Sequence, residues 1–194
     1  MSLEFLPFSF FASEVKKWKL RYEEPTEETL AFLAAAVSEE YADFIRTEGF
    51  STYKNSLYTT VDPLKYREVV LAYELNPETD IPIVKSAFGD LFYFDGYSIK
   101  TLYTSHNERY TLCEGDAVKY FFVFTLLDSD FHKDLLRKKT LFKKSLDQFG
   151  QLNGDESYAF TEPLHSGGRE VLENIGVRST TAYLEELGKA FQSD

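Results

Sequence analysis

Between Ile81 and Cys113 the chain is cut into short aromatic and branched runs by a regular series of turn signals. The runs are Ile81 to Phe88, Leu91 to Phe94, Tyr97 to Tyr103 and Arg109 to Cys113; the breaks are Gly89-Asp90, Asp95-Gly96 and His106-Asn107. Asp-Gly between two such runs is a strong hairpin signal, because the tight turn needs positive φ. The economical arrangement is an antiparallel meander. Tyr158 to Thr161 reads as one further strand, so the expected sheet has about four to five strands.

Helical spacing brackets this region. Pro25-Thr26-Glu27-Glu28 is a helix start, with Thr26 as cap and two glutamates at the positive end of the dipole. Leu30, Leu33, Val37, Tyr41 and Phe44 then recur on one face up to Gly49, which predicts a single helix. Asp62-Pro63 opens a second, with Tyr66, Val69, Val70 and Tyr73 as its buried stripe and Asn76-Pro77-Glu78 as its close. Val118, Phe121, Phe122 and Leu126 suit one helical face, Leu135 to Phe149 a basic helix ending at Gly150, and Thr180 to Phe191 a final amphipathic one. The expected class is α+β: a central antiparallel sheet flanked by N-terminal, middle and C-terminal helices. With 194 residues and no repeat or long linker, residues 1–194 are expected to form one continuous domain.

Charge narrows the partners. The net charge is −11, which opposes direct binding of nucleic acid or anionic membranes and favours a basic protein. No apolar run approaches a membrane span, and the apolar patch Phe5 to Ala12 lacks the basic lead of a signal peptide, so a cytoplasmic location is expected. The single cysteine, Cys113, sits in an alternating run and reads as a small buried filler.

Catalytic signals are sparse. His106, His132 and His165 lie in turn or polar contexts, with no pair at metal-ligand spacing. Ser166-Gly167-Gly168-Arg169 lacks the lysine of a P-loop and the spaced glycines of a dinucleotide site, so a plain turn explains it. Acidic pairs such as Glu27-Glu28, Glu39-Glu40 and Glu185-Glu186 fall at helix starts or on solvent faces. The expectation is a binding protein with no catalytic residue, cofactor or metal. A small metal-dependent hydrolase using an acidic pair and a regulatory module with a cellular partner stand as alternatives.

Two segments carry a family resemblance. Arg46-Thr47-Glu48-Gly49-Phe50, then Leu57 through Pro63 with its Val-Asp-Pro, then Ser86-Ala87-Phe88-Gly89-Asp90-Leu91-Phe92, resemble the GAD-like domain. Phe122 to Leu127, Leu141-Phe142-Lys143-Lys144, Gly150-Gln151-Leu152 and Asp155 to Phe160 are similar to the C-terminal part of the same proteins, the type VI secretion immunity family paired with a DNase effector. The matches run from about Arg46 to Gly168, which divides the chain into a GAD-like part, about 10–113, and a C-terminal part, about 114–194. Family members usually carry Cys where Ser157 stands.

The resemblance implies a non-enzymatic antidote that binds a cognate nuclease effector and occludes or distorts its active site. The acidic charge makes a basic effector the expected partner, and the chain is expected to be a monomer or weak dimer. Phe88, Leu91, Phe92, Tyr158 and Phe160 then belong to the core. Expected contacts are the acids Glu23, Glu24, Glu78, Asp80, Asp128, Asp130, Asp155 and Glu156, with Tyr53, Tyr58 and Tyr97 as aromatic anchors.

Overall fold

The computed structural model describes residues 6–134 and 139–192. Its centre is a seven-stranded sheet in which every neighbouring pair is antiparallel and the spatial order follows the chain. The strands are β1 (Lys19–Glu23), β2 (Phe50–Tyr53), β3 (Tyr58–Thr60), β4 (Ile81–Ser86), β5 (Leu91–Phe94), β6 (Ser98–Tyr103) and β7 (Glu108–Glu114). The meander read from residues 81–113 is therefore its second half. Three earlier strands enlarge it beyond the expected four to five. A separate hairpin pairs β8 (Glu156–Phe160) with β9 (Ile175–Ser179).

Helices cover both faces. On one side α1 (Phe8–Val15), α2 (Glu27–Ala36), α3 (Glu39–Glu48), α5 (Ala117–Tyr120) and α6 (Ser129–Asp134) enclose an aromatic core. Phe8, Phe11, Tyr41 and Phe44 surround Phe122 there, with ring centroids 5.1–5.7 Å from it. Phe122 lies on a π-helical turn, Phe121–Thr125, that continues α5. On the other side α4 (Arg67–Ala72) and α8 (Thr180–Phe191) pack over Leu91, Tyr93 and Leu102. Phe88, Tyr158, Phe160 and Leu141, the last from α7 (Lys139–Phe149), form a third cluster. Phe88, Leu91, Phe92, Tyr158 and Phe160 are all buried, as their size and alternation predict. Alternation along β5 explains the two sides: Phe92 and Phe94 face the first core, Leu91 and Tyr93 the second.

Several local readings need correction. The helix expected from Thr26 to Gly49 is two. Thr26 caps α2 by accepting the Thr29 amide, and Ser38 caps α3 by accepting the Tyr41 amide, so a new N-terminus begins mid-stretch. Gly49 ends α3 with φ 65°. After Asp62, which accepts the Leu64 amide, a 3-10 turn over Pro63–Tyr66 precedes α4, and α4 stops at Ala72, short of Asn76. Of the basic helix expected from Leu135, residues 135–138 lie outside the described residues, as does Phe5 of the N-terminal patch. His132 is half-buried: its ring stacks on Tyr58, and its Nε2 is 2.7 Å from the Leu126 carbonyl oxygen. Cys113 is also half-buried; its thiol donates to the Ala117 carbonyl at 3.4 Å, and burial pushes it up to about 11.

Candidate partner-binding surface

Strand register places acids from distant parts of the chain along one end of the sheet. Glu23 pairs with Phe50, Thr60 with Val84, Ile81 with Phe94, and Ser98 with Glu114. The end of β1 (Glu23), the residue shortly after β3 (Asp62), the one before β4 (Asp80), the one after β5 (Asp95) and the end of β7 (Glu114) thus share that end. Glu24, Glu78 and Asp116 stand beside them in the chain. Five cations thin the charge: Lys65 pairs with Glu23, Arg21 with Glu24, Arg67 with Glu78, Lys100 with Asp95 and Lys119 with Asp116. Eight carboxylates against five cations leave the rim net acidic.

Local bonds fix the orientation of these side chains. Asp95 organises the β5–β6 turn, its carboxylate accepting the amides of Tyr97 (3.0 Å) and Ser98 (2.7 Å). Partial burial opposes its charged form, but Lys100 and those two amides outweigh it and hold the carboxyl well below the usual carboxylate range. Asp62 is buried; it accepts the Leu64 amide and the Thr29 hydroxyl, and burial still pushes its carboxyl up. Asp80 accepts the Asn76 amide at 2.9 Å. Tyr97, at the hairpin tip, is 62% exposed.

At the β1 side the rim deepens into a crevice of about 200 Å³ where Glu23, Asp62 and Lys65 meet Asp155 and Thr181 of the C-terminal part. Tyr22 lines it, donating to the Thr60 carbonyl at 2.9 Å. Burial, then the charges of Glu23, Asp62 and Asp155, push the Tyr22 phenol far above its ordinary value. Its ring lies so close to Gly154 that a Cβ there would overlap it. Asp155 accepts the Ser179 hydroxyl at 2.8 Å and its carbonyl accepts the Thr180 amide, so it is held by the start of α8.

Six of the expected contacts therefore share one surface: Glu23, Glu24, Glu78, Asp80, Asp155 and Tyr97. Three stand elsewhere. Asp128 accepts the Asp130 amide at the start of α6, Asp130 pairs with Lys133 at 2.6 Å, and Glu156 accepts the Asn153 amide. Two are wrong. Tyr53 and Tyr58 are 1% and 0% exposed and cannot anchor a partner, because β2 and β3 are interior strands and both rings are stacked in the first core. Pattern reading also missed Asp62, Asp95, Glu114 and Asp116 as members of this strand-end group, since each stands at a cap position, turn or strand end. The exposed rings of Trp18, Tyr110 and Tyr120 had no signal beyond residue type.

Lys85 is buried away from this surface. It donates to the Glu156 carbonyl at 2.6 Å and lies 3.5 Å from the Ser157 hydroxyl, which is 2.8 Å from that of Thr180. Burial pushes the amine down to about 7, with Asp155 and Glu156 opposing. The contact clasps β4 to the β8–β9 hairpin and α8. Among the described residues no group of three or more His, Cys, Asp or Glu is placed to hold a metal ion, and no helix is long and apolar enough to cross a membrane.

The fold so defined is a mixed α/β one built on an antiparallel sheet, with an acidic strand-end rim. The family model for the GAD-like domain matches residues 8–106, just over half of the chain, and the chain belongs to that family. The crystal structure of Atu4351 from Agrobacterium tumefaciens is similar at TM-score 0.74 and 18% identity, covering 94% of this chain and 89% of that one. At that identity the likeness shows the fold alone. No curated protein matches the chain.

Proposed function

We propose that this protein is a non-enzymatic immunity protein that binds and neutralises a cognate basic nuclease effector of the type VI secretion kind. The observation that carries the reading is the acidic rim with Tyr97 exposed beside it. A nuclease must present cations to hold phosphates. A row of carboxylates at strand ends offers those cations a fixed alternative, and the net charge of −11 speeds their approach. A projecting tyrosine adds the kind of aromatic contact that dominates interface energies. The motifs shared with GAD-like immunity proteins support the same function and a cytoplasmic site of action.

The chain works as one continuous unit in this reading. The Lys85 clasp and the crevice shared by Glu23 and Asp155 support it, since each joins the GAD-like part to the C-terminal part.

Co-expression with the product of the adjacent reading frame tests the proposal. A complex that survives purification, together with rescued growth, is the expected result. Absence of both would sink the immunity reading and leave a regulatory module with a cellular partner as its replacement.

A further inference from the structure

The two edges of the central sheet are unlike. At one edge β1 is short, is interrupted by a register shift between Arg21 and Glu23, and carries Lys19 and Arg21, paired with Glu48 and Glu24. Cations and irregular register are what natural sheets use to keep other strands from adding to an edge. At the other edge β7 runs seven residues, and Glu108 to Thr111 are all exposed. It contains neither lysine nor proline. Its one cation, Arg109, is folded back onto the Tyr73 carbonyl. A bulge at Leu112, left over where Ile99 pairs with Cys113 and Lys100 with Thr111, confines the regular ladder to Glu108–Thr111.

We infer that the outer edge of β7 is a docking strand, onto which an extended, cation-bearing segment of a protein partner adds as an eighth strand. The inference rests on the reading that the partner is basic. Unpaired amides and carbonyls of an exposed edge supply the main-chain bonds of such an addition, and alternate side chains supply its specificity. Tyr110, 52% exposed, stands ready for cross-strand contact: its ring meets Tyr103 edge-on at 5.7 Å, and its hydroxyl donates to Glu108 at 2.8 Å. Glu108 and Glu114 give the strand an acidic residue at each end. Glu108 shares a face of the ladder with Tyr110, so a segment alternating lysine with apolar residues sets a lysine beside Glu108, while Glu114, past the bulge, faces the other side.

The probe is a fluorescein-labelled, end-blocked decapeptide alternating Lys and Val, titrated into the full chain at low salt. Anisotropy reads binding and hydrogen exchange reads its place. The peptide binds and slows exchange of the Glu108–Thr111 amides by about tenfold or more. Tyr110→Lys, or Thr111→Lys at the next exposed position, weakens binding at least about tenfold by placing a lysine on the edge. Leu20→Lys, which adds the same charge at the exposed opposite edge of the sheet, weakens it much less. No binding, binding that leaves the β7 amides unprotected, or equal loss in the β7 and Leu20 variants would each overturn the docking strand. The effector co-expression is a separate assay, so failure of the immunity reading there is distinguishable from failure of the edge here.

Discussion

The amine of Lys85 reaches the main-chain carbonyl of Glu156 at 2.6 Å, across 71 residues of sequence and between two separate sheets. Lys85 is 1% exposed, and burial pushes its amine down to about 7, so in the fold it sheds its proton as pH rises through neutrality. The unfolded chain keeps that proton up to the ordinary value of 10.5. From about pH 7 upward the unfolded state therefore binds more protons than the folded one, and stability rises with pH at up to about 1.4 kcal/mol per pH unit.

Lys85→Met removes that slope. Urea unfolding at pH 7.5 and pH 9 should show the wild type gaining stability and the variant not. The window must not pass pH 9, because the Cys113 thiol, with an ordinary value of 9.0, and then the buried phenols of Tyr41, Tyr58 and Tyr66 resist ionisation and pull stability down above their ordinary values. A variant as pH-dependent as the wild type would mean that Lys85 is charged in the fold.

Gly188 of α8 faces Ala72 of α4, where a Cβ would come 2.8 Å from the Ala72 Cβ and 2.9 Å from its carbonyl oxygen. Alanine is the better helix former by about 1 kcal/mol, yet overpacking costs about 1–3 kcal/mol. Gly188→Ala should lower the melting temperature. A rise would show that the two helices separate easily, and with them the C-terminal part from the GAD-like part.

Ser38 is the cap that divides one expected helix into two. Ser38→Ala should cost about 1 kcal/mol in chemical unfolding, as loss of a single cap does. An unchanged midpoint would show that packing of Tyr41 and Phe44 alone sets the start of α3.

Tyr97 makes its hydrogen bond to Asp95 through its amide, so its side chain contributes little to the fold. Tyr97→Ala should change stability by less than about 0.5 kcal/mol. In titrations with the effector it should lose about 2 kcal/mol of binding, roughly thirtyfold. Binding within about twofold of wild type would remove Tyr97 from the interface.

What was legible in the sequence follows from how local each signal is. The strands from Ile81 to Cys113 are marked by Asp-Gly and Gly-Asp breaks, and Thr180 to Phe191 is helical over the residues its pattern predicts. β1 alternates charged with apolar residues over Lys19–Glu23, but it is only five residues long and stands far in the chain from the turn-marked strands. β2 and β3 escape because they are short and their turn uses Lys54, Asn55 and Ser56 at φ 51°, 60° and 67°, with no glycine or proline to announce it. With those strands unseen, Tyr53 and Tyr58 look like surface rings. The rim itself is not local: Glu23, Asp62, Asp80, Asp95 and Glu114 share one end of the sheet only once six strand registers are known.

The most direct test of the central claim is a calorimetric titration of the adjacent frame's product, silenced in its own active site, into wild type and the rim variant Asp80→Asn/Glu114→Gln. The account predicts tight binding to wild type that weakens steeply with salt, and at least about tenfold weaker binding to the variant. No binding to wild type, or equal affinity for both, would contradict it.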